Sequence, residues 1–549
     1  MFKKKIITLI IITYIGVTGF VTKDSDIYFQ ISKSIDIFGK VYKEVTLNYV
    51  DKVNPENFMV SGIKGMLSSL DPYTNYIDEA MKKDFDVVTT GKYGGIGASV
   101  GLRSDKITIV ELMEGYPAQR QGLRVGDIIV KVDSIIVNKG NYEKLSSYLK
   151  GDPGKIVQLT IERDGVEDNL LFEIVLEEIT VKNLTYYGFV PTDGNIAYLK
   201  LSGFSRSAGT EVKNALVELN GKREIKGVIL DLRGNPGGLL DQAIDICEKF
   251  LNKGELIVSV KGRDDKSSTK YFAKEEPLVK NKSIVVLIDG GSASASEIVA
   301  GAIKDHDRGV IVGTQSFGKG LVQTVVPLSF NTSLKITTAK YYTPSGRCIQ
   351  KIDYSKNADL FDVDAKINDE GFYTDNMREV FANGGITPDS IISNKSDSKQ
   401  IQALLARGMF FRFATNYFNT NKVTNIALLN DKELYNKFIE YINENKFEYS
   451  SPSEKLLKNL RTIAKKEEMH DDVFKLITQL DSEFEDEKMT ELERYKTEII
   501  YRIEEELAAR IKGRSGRILE SLKHDKQFDV ALSILDSKST YKNLLGMTN

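Results

Sequence analysis

Tryptophan is absent from this 549-residue chain, and cysteine and histidine are almost so, at two and three residues. Cys247 and Cys348 are too few for a disulfide framework and lack metal-ligand spacing, so neither a disulfide scaffold nor a zinc site is expected. No cofactor-binding motif is present, and the expectation is that none is required. His306, His470 and His524 are the whole supply of imidazole for any catalytic scheme. Net charge of one sign is also missing: 75 basic and 77 acidic residues leave −2, which gives no electrostatic reason to expect nucleic acid. Long apolar runs are lacking except at the start. There, Met1-Phe2-Lys3-Lys4-Lys5 precedes the apolar run Ile6 to Val21, the layout of an export signal. The run is somewhat short for a spanning helix of about 20 residues, and no A-x-A site follows it. Residues 1–24 therefore predict export, with the segment either cleaved or kept as a membrane anchor. No cysteine follows, which argues against a lipoprotein.

The length implies several domains. Residues 25–86 carry a helical pattern, with Ile31, Ile35, Phe38, Val41 and Tyr42 on one stripe and a break at Asp71-Pro72. From 87 to 177 short β-branched runs alternate with glycine turns, predicting strands at 107–110, 128–132 and 157–161 and a short helix at 144–149. From 178 to 394 apolar strands at 196–201, 227–231, 256–260, 284–288 and 309–312 alternate with helical patterns near 207–219, 239–251 and 296–305. Such alternation predicts an α/β domain with a largely parallel sheet. From 395 to 549 helix formers dominate, with a capped start at Ser451-Pro452 and an apolar stripe Leu492, Tyr495, Ile499, Ile503, Leu507, Ile511. The run Glu504-Glu505-Glu506 reads as a solvated face.

Three loops of the α/β region carry chemistry. Gly290-Gly291-Ser292-Ala293-Ser294-Ala295-Ser296-Glu297 joins a buried strand to an amphipathic helix through small residues, which let a substrate backbone come close. A serine there faces the unpaired N–H groups of a helix N-terminus. By itself the segment reads more readily as a plain N-cap and capping box. Asp231 to Gly238 follows a second strand and Gln315-Ser316-Phe317-Gly318-Lys319-Gly320 a third. Parallel strands joined by crossover helices end at one edge of the sheet, so the three loops should share one face, with Ser294 and Lys319 side by side. His306 lies beyond the helix that Ser294 begins, about 15 Å away at 1.5 Å per residue, and the other histidines belong to the helical region. A Ser-Lys pair is then favoured over a Ser-His-Asp triad. Phe317 and the glycines beside it are expected to supply a dry setting for the amine.

Gly291 to Glu297, together with Phe317-Gly318-Lys319-Gly320 and Gln323, resembles the carboxyl-terminal processing peptidases of family S41, over about residues 30 to 390. Tyr93-Gly94-Gly95-Ile96-Gly97 and Pro117 to Asp127 resemble a PDZ domain. The resemblance implies a crotonase/ClpP-like α/β catalytic core at 178–394, an inserted PDZ domain at 87–177, an N-terminal helical arm at 25–86 and a helical C-terminal domain at 395–549. It also implies that Ser294 is the nucleophile, Lys319 the general base and Gln323 the residue that orients the lysine. The oxyanion hole would be formed by the N–H groups of Ala295 and Gly238, with Gly238 preferred over Gly237. Gly95, Ile96 and Gly97 would bind a substrate tail. The expected partners are proteins or peptides held by their C-termini, in the periplasm or cell envelope. Inner-membrane attachment, self-association and an adaptor protein stay open. The alternatives are a non-catalytic PDZ-containing peptide-binding scaffold and a crotonase-like acyl-transfer enzyme.

Overall fold

The computed structural model describes residues 27–547 apart from 104, 264–267, 355–370, 383, 395, 397 and 422, so the export-signal segment 1–24 lies outside the described residues. Among the described residues no helix is long and apolar enough to cross a membrane, and no group of His, Cys, Asp and Glu is arranged to hold a metal ion. The described residues form two compact units, the first made of 27–80, 323–337 and 354 and the second of the remainder.

In the first unit a helix over 27–48 precedes the helix Pro55–Ser68, which starts with Asn54 as its cap and Pro55 at the first position. The Tyr42 and Phe58 rings stack at 5.7 Å. The predicted break at Asp71-Pro72 is a turn in which Asp71 Oδ1 accepts the amides of Tyr73 and Thr74. It leads into a strand the helical pattern did not reveal, Asn75–Ile77, antiparallel to 333–335. Three residues are too few for a readable alternation.

The second unit begins within the helix Glu79–Thr90, and a β-rich block follows. Its sheet runs in the order Ala98–Arg103, Lys106–Leu112, Ile128–Val132, Ile156–Glu162, Leu170–Val175, all antiparallel, around Ile107, Ile109, Ile129, Leu159 and Ile161. Asp127 closes it through a two-point ion pair with Arg163, both bonds 2.7 Å.

The main sheet has the order Leu184–Val190, Ile196–Leu201, Gly227–Asp231, Ser283–Ile288, Val310–Gly313, Ser390–Ile391, parallel throughout except for its first pair. Alternate residues face opposite sides, as the period of a strand requires. Val228, Leu230, Ile284 and Val286 pack with the helices Ala208–Lys222, Leu240–Cys247 and Ala295–Asp305. Ile229, Val285, Leu287, Val310 and Val312 pack with Phe528, Ala531 and Ile534 of the helix Lys526–Asp536 and with Leu545. The extreme C-terminus thus covers the second face of this sheet. One strand expected here belongs elsewhere: Leu256–Gly262 pairs antiparallel with Thr269–Phe272 and with residues 339–342. Apolar content told that it was buried, but not which sheet it joined.

The helical region is built on Phe410, Phe413, Phe438, Ile503 and Leu507, and its helix Pro452–Lys466 carries the expected capping box at Ser451. The acidic run is a correction. Glu506 accepts from Arg510 at 2.9 Å and Arg517 at 2.8 Å, and burial pushes the Glu505 carboxyl up to about 7. Arg510 lies one turn along the helix, and Arg517 follows a kink at Lys512-Gly513. The same region grips the β-rich block: a Cβ on Gly126 would lie 2.3 Å from Thr415 Cγ2, and Asn416 donates to Asp164 at 3.1 Å.

Candidate active site

The carboxyl ends of Gly227–Asp231, Ser283–Ile288 and Val310–Gly313 lie at one edge, as the parallel pairing demands. The loops that leave them are joined by hydrogen bonds. Gly234 and Gly291 both donate to Asp289 Oδ1, at 2.8 and 2.9 Å. Ala293 donates its amide to Asn235 O at 3.0 Å, and the Ser292 hydroxyl donates to Leu232 O at 2.8 Å. The amide of Phe317 donates to Ser292 O at 3.0 Å.

Ser294 stands at the N-cap of the helix Ala295–Asp305 with φ 56° and ψ −112°. A side-chain-bearing residue rarely adopts that backbone, and holding it costs about 1–3 kcal/mol that the surroundings must offset. The offset comes from Glu297, whose carboxylate is fully buried. Its Oε2 accepts the amide of Ser294 at 2.8 Å and that of Lys319 at 2.9 Å; its Oε1 accepts the Ser316 hydroxyl at 2.6 Å and the Gly318 amide at 2.7 Å. Three backbone amides and one hydroxyl donate to this carboxylate, an arrangement that suits the anion. Burial nevertheless raises the Glu297 pKa above its ordinary value, against the lowering effect of those four bonds. The sequence placed Glu297 in a capping box; its hold on the lysine loop was not visible there.

The Tyr341 hydroxyl is a second link the sequence did not single out: it donates to the carbonyl oxygen of Lys319 and lies 3.3 Å from that of Ser294. Ser294 and Lys319 are therefore brought together by two shared partners. The dry wall expected from Phe317 is a correction, because its ring is 49% exposed. The Lys319 backbone is held by Glu297 and Tyr341 instead.

Gly237, at φ 95°, touches the serine turn: a Cβ there would lie 2.6 Å from Ala293 O, 2.8 Å from Ala295 N and 3.0 Å from Ser294 Cβ. Its amide donates to Asn235 Oδ1 at 2.9 Å. Gly238, at φ 157°, is backed by Phe204, with which it forms a bridge. Ala295 is buried at the first position of the helix. Gln323 lies in the first unit, where its amide donates to Thr337 Oγ1 at 3.3 Å.

Beneath the 231–238 loop sits a buried ion network. Asp231 accepts from Tyr198 at 2.7 Å and pairs with Arg233 at 2.6 Å and Lys200 at 3.0 Å. Burial opposes its ionisation, but Arg233 and then Lys200 outweigh that and hold its pKa well below the ordinary carboxylate value.

No histidine joins the site. His306 is held at both ring nitrogens, by Asp375 at 2.8 Å and Leu256 O at 2.7 Å. His470 caps the helix Asp471–Arg494, and His524 stacks on Tyr501 at 4.8 Å.

The β-rich block has an open groove of about 290 Å³ between Ile96, Ala98 and Val100 on one side and Leu145 and Leu149 on the other. At its mouth Ile96 is buried, Gly97 has φ 75°, and a Cβ on Gly95 would strike the Tyr93 ring at 2.5 Å. The Ile96 and Gly97 carbonyls accept from Ala118 and Met113 at 2.8 and 2.9 Å, which fixes the loop.

The sequence pattern of peptidase family S41 matches residues 195–359, a PDZ domain matches 108–163, and the C-terminal helical domain of probable PDZ-proteases matches 400–535. The chain is 42% identical over 323 residues to a carboxy-terminal-processing protease of Bartonella bacilliformis, covering 58% of this chain and 73% of that one. It is 33% identical over 356 residues to the carboxy-terminal processing protease CtpA of Bacillus subtilis, covering 63% and 75%. To a probable CtpA-like serine protease of Staphylococcus aureus it is 34% identical over 312 residues, covering 56% and 61%.

Proposed function

The chain belongs to the carboxy-terminal-processing proteases of peptidase family S41, serine proteases here equipped with a PDZ domain, and from that premise we propose how its residues divide the work. Ser294 Oγ attacks the scissile carbonyl while its proton passes to the neutral Lys319 amine. The oxyanion is met by the N–H groups of Ala295 and Gly238. Gly237 is the weaker candidate because its own N–H already donates to Asn235. The resulting ammonium protonates the leaving amine, and water then attacks the acyl-enzyme with Lys319 again accepting a proton. Gln323 orients the lysine. The observation that carries this reading is the Glu297 carboxylate, which ties the amides of Ser294 and Lys319 to a single oxygen.

The PDZ groove binds the substrate tail: Gly95, Ile96 and Gly97 receive the terminal carboxylate, and the apolar channel beyond takes the last side chains. Cleavage falls near the C-termini of exported proteins in the cell envelope, where residues 1–24 deliver the enzyme as a signal or hold it as an anchor. Mapping C-terminal peptides of envelope proteins from cells with wild-type protein or Ser294→Ala tests this. New C-termini should appear only with Ser294 intact, and identical maps would refute it.

A further inference from the structure

The loop that approaches Ser294 is secured from the far end of the chain. Arg233 is nearly buried, and its guanidinium reaches past Asp231 to Asp525 Oδ2 at 2.6 Å and Gln527 Oε1 at 2.9 Å. Both belong to the start of the helix Lys526–Asp536, which covers the second face of the catalytic sheet. Asp525 is itself held: its Oδ1 accepts the amides of Gln527 and Phe528 as the helix cap and the side chain of Asn394 at 2.6 Å. The Arg233 backbone is fixed as firmly, its carbonyl by Lys200 at 2.9 Å and its amide by Asp231 at 3.0 Å. Two cations, Lys200 and Arg233, are thus balanced by two anions, of which Asp231 is local and Asp525 comes from some 290 residues away.

We propose that Asp525 is a positioning residue for proteolysis, and that through Arg233 it sets the glycine backbone at 237–238 against Ser294. The inference rests on the Ser294 reading and extends it: the C-terminal helical region completes the catalytic loop. Without the Asp525 charge, Arg233 is a buried cation with one carboxylate for two positive groups. It must move toward water or toward Asp231, and the loop moves with it. Gly237 already lies in contact with the serine turn, so a small displacement alters the geometry of the oxyanion donors, to which rate is far more sensitive than binding.

The test exploits the two roles of Asp525. Asp525→Asn keeps a good capping oxygen but removes the charge and replaces the acceptor facing Arg233 with an amide NH2, whereas Asp525→Glu keeps the charge. Tyr541→Phe is the control for loosened packing, since it removes the hydroxyl that bonds the Ile284 amide at 2.9 Å on the same face of the sheet. We expect kcat to fall about tenfold or more in Asp525→Asn with KM within twofold, at a temperature where the protein is folded. Asp525→Glu should recover part of the loss, and Tyr541→Phe should retain kcat. Should Asp525→Asn fail to fold, Asp525→Ser, which also caps, is read in the same way. Wild-type kcat in Asp525→Asn, or an equal loss in Tyr541→Phe at matched stability, overturns the proposal. Ser294→Ala in the same assay tests the underlying reading separately, because activity surviving there removes the premise rather than the positioning role.

Discussion

The amides of Ser294 and Lys319 donate to the same atom, Oε2 of Glu297, at 2.8 and 2.9 Å. The residue that opens one helix and the residue that ends the next loop are held by one oxygen, so neither is free to drift from the other.

That coupling predicts that Ser294→Ala and Lys319→Ala each lower kcat/KM by at least about 10⁴-fold without unfolding the protein. The double variant should be scarcely worse than either alone, because groups that act as a unit do not add. Steady-state kinetics on a short peptide, with a thermal melt beside each variant, measures both.

Glu297→Gln keeps the shape but turns a donor toward amides that need an acceptor. It should cost about 1–3 kcal/mol of stability and about 10²-fold in kcat, read by chemical denaturation and kinetics. The pH dependence follows from the same site. The Glu297 pKa is raised by burial, so the folded protein binds this proton more tightly than the unfolded chain does. Between the unfolded and folded pKa values this group therefore favours folding more as pH falls, while losing its grip on Ser294 and Lys319. Activity should be lost in mild acid before the fold is. Parallel pH profiles of rate and of melting temperature test that order, and coincident loss of both would contradict it.

Gly237 and Gly290 form a matched pair. A methyl at Gly237 collides with Ala293 O and Ala295 N, whereas one at Gly290 meets nothing within 4 Å. Gly237→Ala should lose about 10²-fold in kcat and Gly290→Ala should stay near wild type, by kinetics under identical conditions.

Much of this was legible in the chain because the parallel strands, though short, are mostly apolar and their loops are glycine-rich. The shared edge of 231–238, Ser294 and Lys319 followed from connectivity alone, and the scarcity of histidine narrowed the choice of base. What escaped depended on distance in sequence. Tyr341 reaches the site from an antiparallel strand, and Asp525 from a helix whose amphipathic pattern gave no sign that it covers this sheet. Glu297 was visible only as a cap, because a local motif does not show what else its second oxygen binds. The acidic run looked solvated because the arginines that pair with Glu506 lie further along the chain, at 510 and 517.

If Gly95, Ile96 and Gly97 receive a terminal carboxylate, amidating a tail peptide removes charge-assisted bonds of about 1.5–3 kcal/mol. Its affinity for the intact protein should drop roughly tenfold to a hundredfold, by titration calorimetry using Ser294→Ala to prevent turnover. Equal affinity for the acid and the amide would remove the carboxylate from the account.

The central claim is tested most directly by a fluorophosphonate, which reacts only with an activated serine, followed by mass mapping of the adduct. A single phosphonylated residue at Ser294, strongly reduced in Lys319→Ala and undiminished in His306→Ala, is the predicted result. Absence of label on Ser294 in folded protein, or labelling that depends on His306 and not on Lys319, would contradict it.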